Sequence, residues 1–180
     1  MRLFILSLAL FLGTCSPAPS QSADRGRVEC LRYLRAYQFA ESARKQFLVS
    51  VNRNPASGKY QECFQCIADQ FTALNLEPRF REVLLSFMTV DELSRLNDFL
   101  ESALGRKLIQ FALAGGDEGR FREIMTREDL AEMARIQKEP FYRAASAFND
   151  RGLPRISGGD VARAYLLEFR QKCNQFPHPW

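Results

Sequence analysis

The sequence contains few of the residues that enzymes use for acid–base and metal chemistry. Its 180 residues include one histidine, His178, close to the C-terminus. A serine or cysteine nucleophile needs a neighbouring base, which histidine supplies most often. No glycine-rich segment carries the Gly-Lys-Ser/Thr signature of a phosphate-binding loop. The sequence therefore predicts no catalytic, cofactor-binding or metal site, and it favours a protein that is not an enzyme.

Long runs of basic residues or of apolar residues are scarce as well. No run of five basic residues occurs, and the 25 Lys and Arg residues are interspersed with 21 Asp and Glu residues. This mixture is typical of a solvated surface and excludes the basic patch expected of a nucleic-acid-binding protein. The most apolar stretch, residues 3–12, is too short to span a bilayer.

The N-terminus has the pattern of an export signal. Met1 and Arg2 precede the apolar stretch, and a tether rich in Ser, Pro and Ala runs to residue 23. Two processing routes are open: a signal peptide over residues 1–20, or a lipoprotein signal over residues 1–14 that leaves Cys15 to carry a lipid. Both predict the periplasm or secretion, and the second adds a lipid anchor in the envelope membrane.

Four cysteines remain in the folded part: Cys30, Cys63, Cys66 and Cys173. An even number of cysteines in an exported chain predicts disulfides. We expect the pairs Cys30–Cys63 and Cys66–Cys173, because Cys30 and Cys63 lie on the apolar faces of consecutive predicted helices. The alternative is a redox pair, since Cys63 and Cys66 have the Cys-x-x-Cys spacing of thiol-disulfide enzymes.

The apolar residues recur at spacings of three and four, and sustained alternation of β-branched residues is absent. This pattern predicts an all-α domain over residues 24–174, followed by a tail over residues 175–180. One apolar stripe from Cys30 to Val51 predicts the first helix. Pro78 is expected in the first turn of the third helix, where its missing N–H costs nothing.

Two stretches 37 positions apart share their helix signals: MTVDELSRL at residues 88–96 and MTREDLAEM at residues 125–133. Thr89 with Glu92, and Thr126 with Asp129, predict capping boxes at the start of two helices.

The apolar and helix-breaking residues of the two stretches correspond too. Leu93 matches Leu130, and the helix-disfavouring residues Gly105 and Pro140 follow at similar distances. Because glycine weakens a helix and proline breaks it, each copy is expected to bend there. The predicted architecture is a single helical bundle with two consecutive bent helical hairpins, stapled by disulfides.

The first of these stretches resembles a known family. Residues 87–112 carry an aromatic residue, a capped Glu-Leu, a second Phe, a small-residue turn and Gly-x-Lys, at Phe87, Thr89, Glu92, Leu93, Phe99, Ser102, Gly105 and Lys107. This pattern is similar to the signature of the domain-of-unknown-function family 2059, and Pro140 supplies in the second copy a proline that the family often has. The resemblance implies an exported, all-helical bacterial protein with no known enzymatic activity.

These observations predict an exported, non-enzymatic envelope protein that binds another protein as an adaptor, inhibitor or immunity-like factor. Two alternatives stay open. A Phe-rich bundle is able to carry an apolar ligand such as a lipid in a cavity between helices. The second alternative is a thiol-disulfide enzyme that uses Cys63 and Cys66.

Overall fold

Every regular element is a helix within residues 19–53, 55–116 and 118–176, the parts of the chain that the computed structural model describes. The α-helices are α1 (Pro19–Ala36), α2 (Phe39–Asn52), α3 (Gln61–Asp69), α4 (Ala73–Leu85), α5 (Val90–Leu100), α6 (Ala103–Leu113), α7 (Glu118–Ile124), α8 (Arg127–Ile136), α9 (Pro140–Ala147), α10 (Leu153–Ser157) and α11 (Asp160–Lys172). A 3₁₀ helix (Pro55–Tyr60) precedes α3, and a π-helical turn (Phe148–Gly152) joins α9 to α10. The predicted all-α class is confirmed.

Several predictions fall on other parts of the chain. The signal sequence up to residue 18, with the lipidation candidate Cys15, and the end of the tail from Pro177 lie outside the described residues. Helix α1 begins at Pro19, within the predicted tether.

Helix α1 lies at the centre of the fold. It packs on α4 and α5, while α2 packs on α3, and α5 packs on α6 and α9. Phe80, Phe148 and Phe169 are fully buried and supply much of the core volume. The Phe-rich composition therefore produces a filled core, in which the rings of Phe80 and Phe148 lie 5.8 Å apart.

The stripe from Cys30 to Val51 belongs to two helices, so the prediction of one first helix is wrong. Gln38 adopts a left-handed conformation, with φ 48° and ψ 39°, and ends the helical path between α1 and α2. A residue other than glycine is strained in this region. Aromatic packing stabilises the turn: Tyr37 contacts Tyr33 at 4.9 Å, and Phe39 contacts Phe80 at 4.8 Å between ring centroids.

Helix α4 begins earlier than predicted. Its cap is Thr72, whose hydroxyl accepts a hydrogen bond from the backbone N–H of Asn75 at 3.2 Å. Pro78 consequently lies inside the helix rather than in its first turn. The threonine cap stabilises a start at Ala73 in spite of the donor that proline removes in the next turn.

Both predicted capping boxes are present. The Thr89 hydroxyl accepts from the N–H of Glu92 at 3.2 Å, and the Glu92 carboxylate accepts from the N–H of Thr89 at 2.8 Å. Thr126 and Asp129 make the same pair of bonds, at 3.1 and 2.9 Å. Each box satisfies two backbone donors that the helix start leaves open.

The chain also bends at both predicted places. Helix α5 ends at Leu100, and α6 restarts at Ala103 behind Ser102, whose hydroxyl accepts from the N–H of Gly105 at 3.0 Å. Helix α8 ends at Ile136, and α9 restarts at Pro140. That the two halves form an internal repeat stays a prediction, because their packing differs, as described below.

One buried polar network joins α1 to α5. The Asn97 side chain is buried, and its Nδ2 donates to the backbone oxygen of Glu29 at 2.8 Å and to Glu29 Oε2 at 2.7 Å. Arg32 donates to the same carboxylate at 2.9 Å and also binds Asp98 on α5 and Glu101 directly after it. Hydrogen-bonded partners offset the desolvation of the buried carboxylate, so the network fixes α1 on α5.

Candidate functional site

One of the two predicted disulfides is present. Cys66 on α3 bonds to Cys173, directly after α11, with their Cα atoms 6.0 Å apart. The bond ties the last helix to α3, on which α2 also packs. A structural disulfide between distant segments is typical of proteins in an oxidising compartment.

The predicted Cys30–Cys63 disulfide is wrong. Both residues are buried thiols. The break at Gln38 is the physical reason, because it places Cys30 on α1, which packs on α4 and α5, whereas α2 is the helix that packs on α3. The Cys30 thiol instead donates weakly to the backbone oxygen of Glu77, at 3.9 Å.

The disulfide of Cys66 and the burial of Cys63 are not the features expected of a Cys63–Cys66 redox pair. Cys66 is bonded to Cys173, and burial raises the pKa of the Cys63 thiol. Burial also raises the pKa of Cys30 to about 12. Because the thiolate is the nucleophile in disulfide exchange, a raised pKa suppresses the reaction.

Replacing Cys66 and Cys173 together by serine is expected to lower the free energy of unfolding by about 2–4 kcal/mol, because the bond closes a long loop and restricts the unfolded chain. Thermal unfolding followed by circular dichroism measures the change. The matched control is the Cys30→Ser/Cys63→Ser variant, which keeps the Cys66–Cys173 bond. Its melting temperature is measured before and after dithiothreitol reduces that bond. A wild-type melting temperature that reductant does not lower would contradict the prediction.

The motif residues of the family resemblance serve the backbone and the connections between helices. Thr89, Glu92 and Ser102 cap helices, as described above. Phe99 contacts Phe141, the residue after Pro140, with ring centroids 6.2 Å apart. Phe87 contacts Phe148 at 5.9 Å. The conspicuous motif is thus architectural in this structure.

Lys107 connects the two predicted hairpins. Its Nζ donates to Asp129 Oδ2 at 2.6 Å, so the carboxylate that caps α8 also binds the lysine of α6. The hydrogen bond from Lys107 and the one from the Thr126 backbone hold the pKa of Asp129 below its ordinary value. The basic side chain is therefore engaged in an ion pair at the junction of the two hairpins.

Acidic and sulfur ligands do not gather into a metal site in the described part of the chain, where no group of three or more His, Cys, Asp and Glu side chains could hold an ion. None of the described helices is long and apolar enough to cross a membrane. Two surface features remain as candidate binding sites.

The first candidate is an apolar groove of about 480 Å³ between α2 on one side and α10 and α11 on the other, here called the α2/α11 groove. Its α2 wall includes Phe39, Ala43 and Phe47, which recur at helical spacing and so share one face. The opposite wall and floor include Leu76, Ile156, Ala162 and Tyr165.

The groove is apolar at its base and polar at its mouth. Leu76, Ile156 and Tyr165 are buried, and the Tyr165 hydroxyl donates to the backbone oxygen of Leu76. Burial raises the pKa of this tyrosine, so its hydroxyl stays protonated. The polar lining residues Ser42, Gln46, Ser50 and Ser157 border the apolar base. Small-molecule sites in proteins commonly have this composition and a volume of about 300–1,000 Å³.

The second candidate is the exposed face of α8, here called the α8 face. On α5, Leu93, Leu96, Asn97 and Leu100 are buried against the core. Their counterparts 37 positions later are Leu130, Met133, Ala134 and Gln137, of which Met133 alone is partly buried. Leu93 is 0% exposed, whereas Leu130 is 48% exposed.

The charges beside this face are also reversed. Asp98 and Glu101, which hold Arg32 of α1 on α5, correspond to Arg135 and Lys138. Asn97, which binds Glu29, corresponds to Ala134. The α8 face therefore exposes Leu130 and Ala134 beside basic residues, whereas α5 offers an acidic border to the helix that covers it.

Sequence reasoning did not identify the groove, the exposure of α8 or the Glu29–Asn97 network. The Phe spacing on α2 indicated an apolar face but not that part of it stays uncovered. The sequence did carry one signal of the exposure of α8. Asp98 and Glu101 of the first stretch are replaced by Arg135 and Lys138 at the matching positions of the second, although the two stretches otherwise agree.

Comparison with known proteins adds no relative: no protein-family model, no curated protein and no solved structure matches this chain. The fold and the cysteines define its class as an all-helical, disulfide-bonded domain. The resemblance of residues 87–112 to the domain-of-unknown-function family 2059 stays a prediction.

Proposed function

We propose that the protein is an exported, non-enzymatic envelope protein that binds another protein through the α8 face. The observation that carries this proposal is the burial of Leu93 on α5 against the exposure of Leu130 on α8. The protein itself illustrates how such a helix is covered, because α1 packs along α5 and anchors there through Arg32. A partner helix on α8 would bury the equivalent face.

The border charges suggest the chemistry of this partner. Arg135 makes an ion pair with Glu132 at 3.3 Å and is largely exposed, and Arg127 and Lys138 are exposed as well. Basic residues around an apolar face attract an acidic partner and repel a basic one. An amphipathic helix with acidic flanks therefore fits the α8 face, by the helix-in-groove mode of recognition.

The experiment is capture of partners from the native envelope with purified wild-type protein and with Ala134→Glu. Ala134 is exposed, so the substitution leaves the fold intact while it adds bulk and negative charge to the α8 face. We expect wild type to capture a defined protein in stoichiometric amount and Ala134→Glu to lose at least about nine-tenths of it, equivalent to more than 1.4 kcal/mol.

The matched control is Ala112→Glu, at an exposed alanine of α6. It should capture as much partner as wild type. Equal capture by Ala134→Glu, or the absence of any stoichiometric partner, would exclude the α8 face as the binding surface.

A second candidate function is carriage of an apolar ligand, and the Phe-lined α2/α11 groove is the observation that favours it. Phe80, Phe148 and Phe169 are fully buried and do not line the groove. Any such ligand would therefore lie in the groove at the surface. Export itself is supported by the N-terminal signal pattern and by the disulfide, and the resemblance to the family points the same way.

A further inference from the structure

The α2/α11 groove continues into a basic strip on α2. A neighbouring depression shares Ser42, Gln46 and Ser50 with the groove and is bordered by Lys45, Val49 and Arg53. Lys45, Val49 and Arg53 are all exposed and follow one another at spacings of four. An apolar trough and a pair of cations thus lie side by side along one helix.

The two cations of this strip are available for a ligand. Arg44, another cation of α2, binds Asp69 of α3 at 2.7 Å. By contrast, no ion pair within the described residues engages Lys45 or Arg53. An exposed cation with no partner favours an anionic group beside it.

The dimensions of the groove favour a thin ligand. The groove residues of α2 run from Phe39 to Ser50, a length of about 17 Å at about 1.5 Å per residue. A second helix of that length and about 10 Å in diameter would occupy on the order of 1,300 Å³. The groove offers about 480 Å³, so a helix would lie over it, whereas a single acyl chain fits within it.

We propose that the α2/α11 groove binds a single-chain lipid with an anionic head group. The acyl chain lies between Phe39 and Phe47 on α2 and Tyr165 on α11, and the head group lies against Lys45 and Arg53. This inference rests on carriage of an apolar ligand, the second candidate function, and adds the charge of the ligand and the residues that recognise it. The disulfide holds the two walls together, because α3 is bonded to the end of α11 and packs on α2.

The test is native mass spectrometry and calorimetric titration of the purified protein with two probes of equal chain length, lysophosphatidylglycerol and lysophosphatidylcholine, each below its micelle concentration. We expect one lysophosphatidylglycerol per protein. Lys45→Glu/Arg53→Glu should weaken its affinity at least about tenfold and change the weaker lysophosphatidylcholine binding much less, because the head group of lysophosphatidylcholine has no net charge.

Two further variants complete the design. Ala162→Trp fills the groove from α11 and should abolish binding of both probes. The charge-matched control Arg95→Glu/Arg143→Glu changes exposed residues of α5 and α9, neither of which lines the groove. It should bind lysophosphatidylglycerol as wild type does. Melting curves verify that each variant is folded.

Each contrary outcome has a distinct meaning. Equal affinity of the two probes, unaffected by Lys45→Glu/Arg53→Glu, would refute the head-group site and leave carriage standing. Failure of both probes to bind would refute carriage as well. Binding only to phosphatidylglycerol vesicles would show that the basic strip contacts a membrane surface. A dimer in the native mass spectrum would show that a second copy of the protein occupies the groove. Binding only of an acidic amphipathic peptide would show that the groove binds a protein partner. Each of the three overturns the proposal.

Discussion

Replacing Phe148 by alanine is expected to lower the free energy of unfolding by about 3–5 kcal/mol, among the largest effects for a single residue of this chain. Phe148 is 0% exposed. Its ring lies 6.0 Å from Tyr33 on α1, 5.8 Å from Phe80 on α4 and 5.9 Å from Phe87 after α4. The substitution removes contacts with three segments at once and leaves a cavity that packed neighbours fill only in part.

Urea denaturation measures this effect, and the melting temperature should fall by roughly 6–20 °C. The matched control is Phe111→Ala, since Phe111 is half-buried and its ring contacts Phe121 at 5.1 Å. Its cost should be less than half that of Phe148→Ala. A similar loss in the free energy of unfolding at both positions would mean that Phe148 is not required to pack the second hairpin on the core.

Gly105→Ala is expected to destabilise the protein by at least about 3 kcal/mol. A Cβ atom at this position would lie 2.0 Å from the backbone oxygen of Phe99 and 2.6 Å from the Cα of Leu100. These are backbone atoms of the preceding helix, so no side-chain rotation relieves the contact. The chain between α5 and α6 would have to open, at the expense of the Ser102 cap.

Thermal unfolding of Gly105→Ala beside Gly58→Ala tests this prediction. A Cβ at Gly58 meets no atom within 4 Å, so that variant should match wild type or gain slightly from the reduced freedom of the unfolded chain. A Gly105→Ala protein as stable as wild type would show that α5 and α6 separate without loss. Their close approach would then not be required for the fold.

The features predicted correctly from the sequence are those that local chemistry decides. Thr89 with Glu92 and Thr126 with Asp129 start helices because the hydroxyl and the carboxylate satisfy donors within the same turn. Pro140 starts α9 because its ring excludes a continuous helix from α8. Both signals act within four residues, and no tertiary contact has to be known to read them.

Features decided by distant contacts were predicted less well. No glycine or proline marks the turn at Gln38, and the aromatic residues beside it predict helix as readily as a break. Its strain is offset by ring packing of Tyr37 and Phe39 that only the folded chain supplies. The wrong Cys30–Cys63 pairing followed from that single turn, because the pairing of helices sets which cysteines meet.

The exposure of Leu130 illustrates a second limit. Leu93 and Leu130 follow equivalent capping boxes, and hydrophobic periodicity assigns both to a buried face. The difference is that α1 packs along α5, whereas it makes no comparable packing on α8. An apolar helix face is buried only where another helix packs on it. An apolar face on which no helix packs is typical of a binding surface.

The Cys66–Cys173 bond also changes what proteolysis does to this protein. The bond closes a covalent ring that contains every residue from Cys66 to Cys173. A single backbone cut within the ring, for example at the turn of Gly115 and Gly116 where φ is 95° and 69°, leaves two pieces that remain joined through sulfur. The joined pieces keep their high effective concentration and the packing between them. Separation of the pieces by a protease that cuts within the ring therefore requires two events, a cut and either a second cut or a reduction, where an open chain would need one.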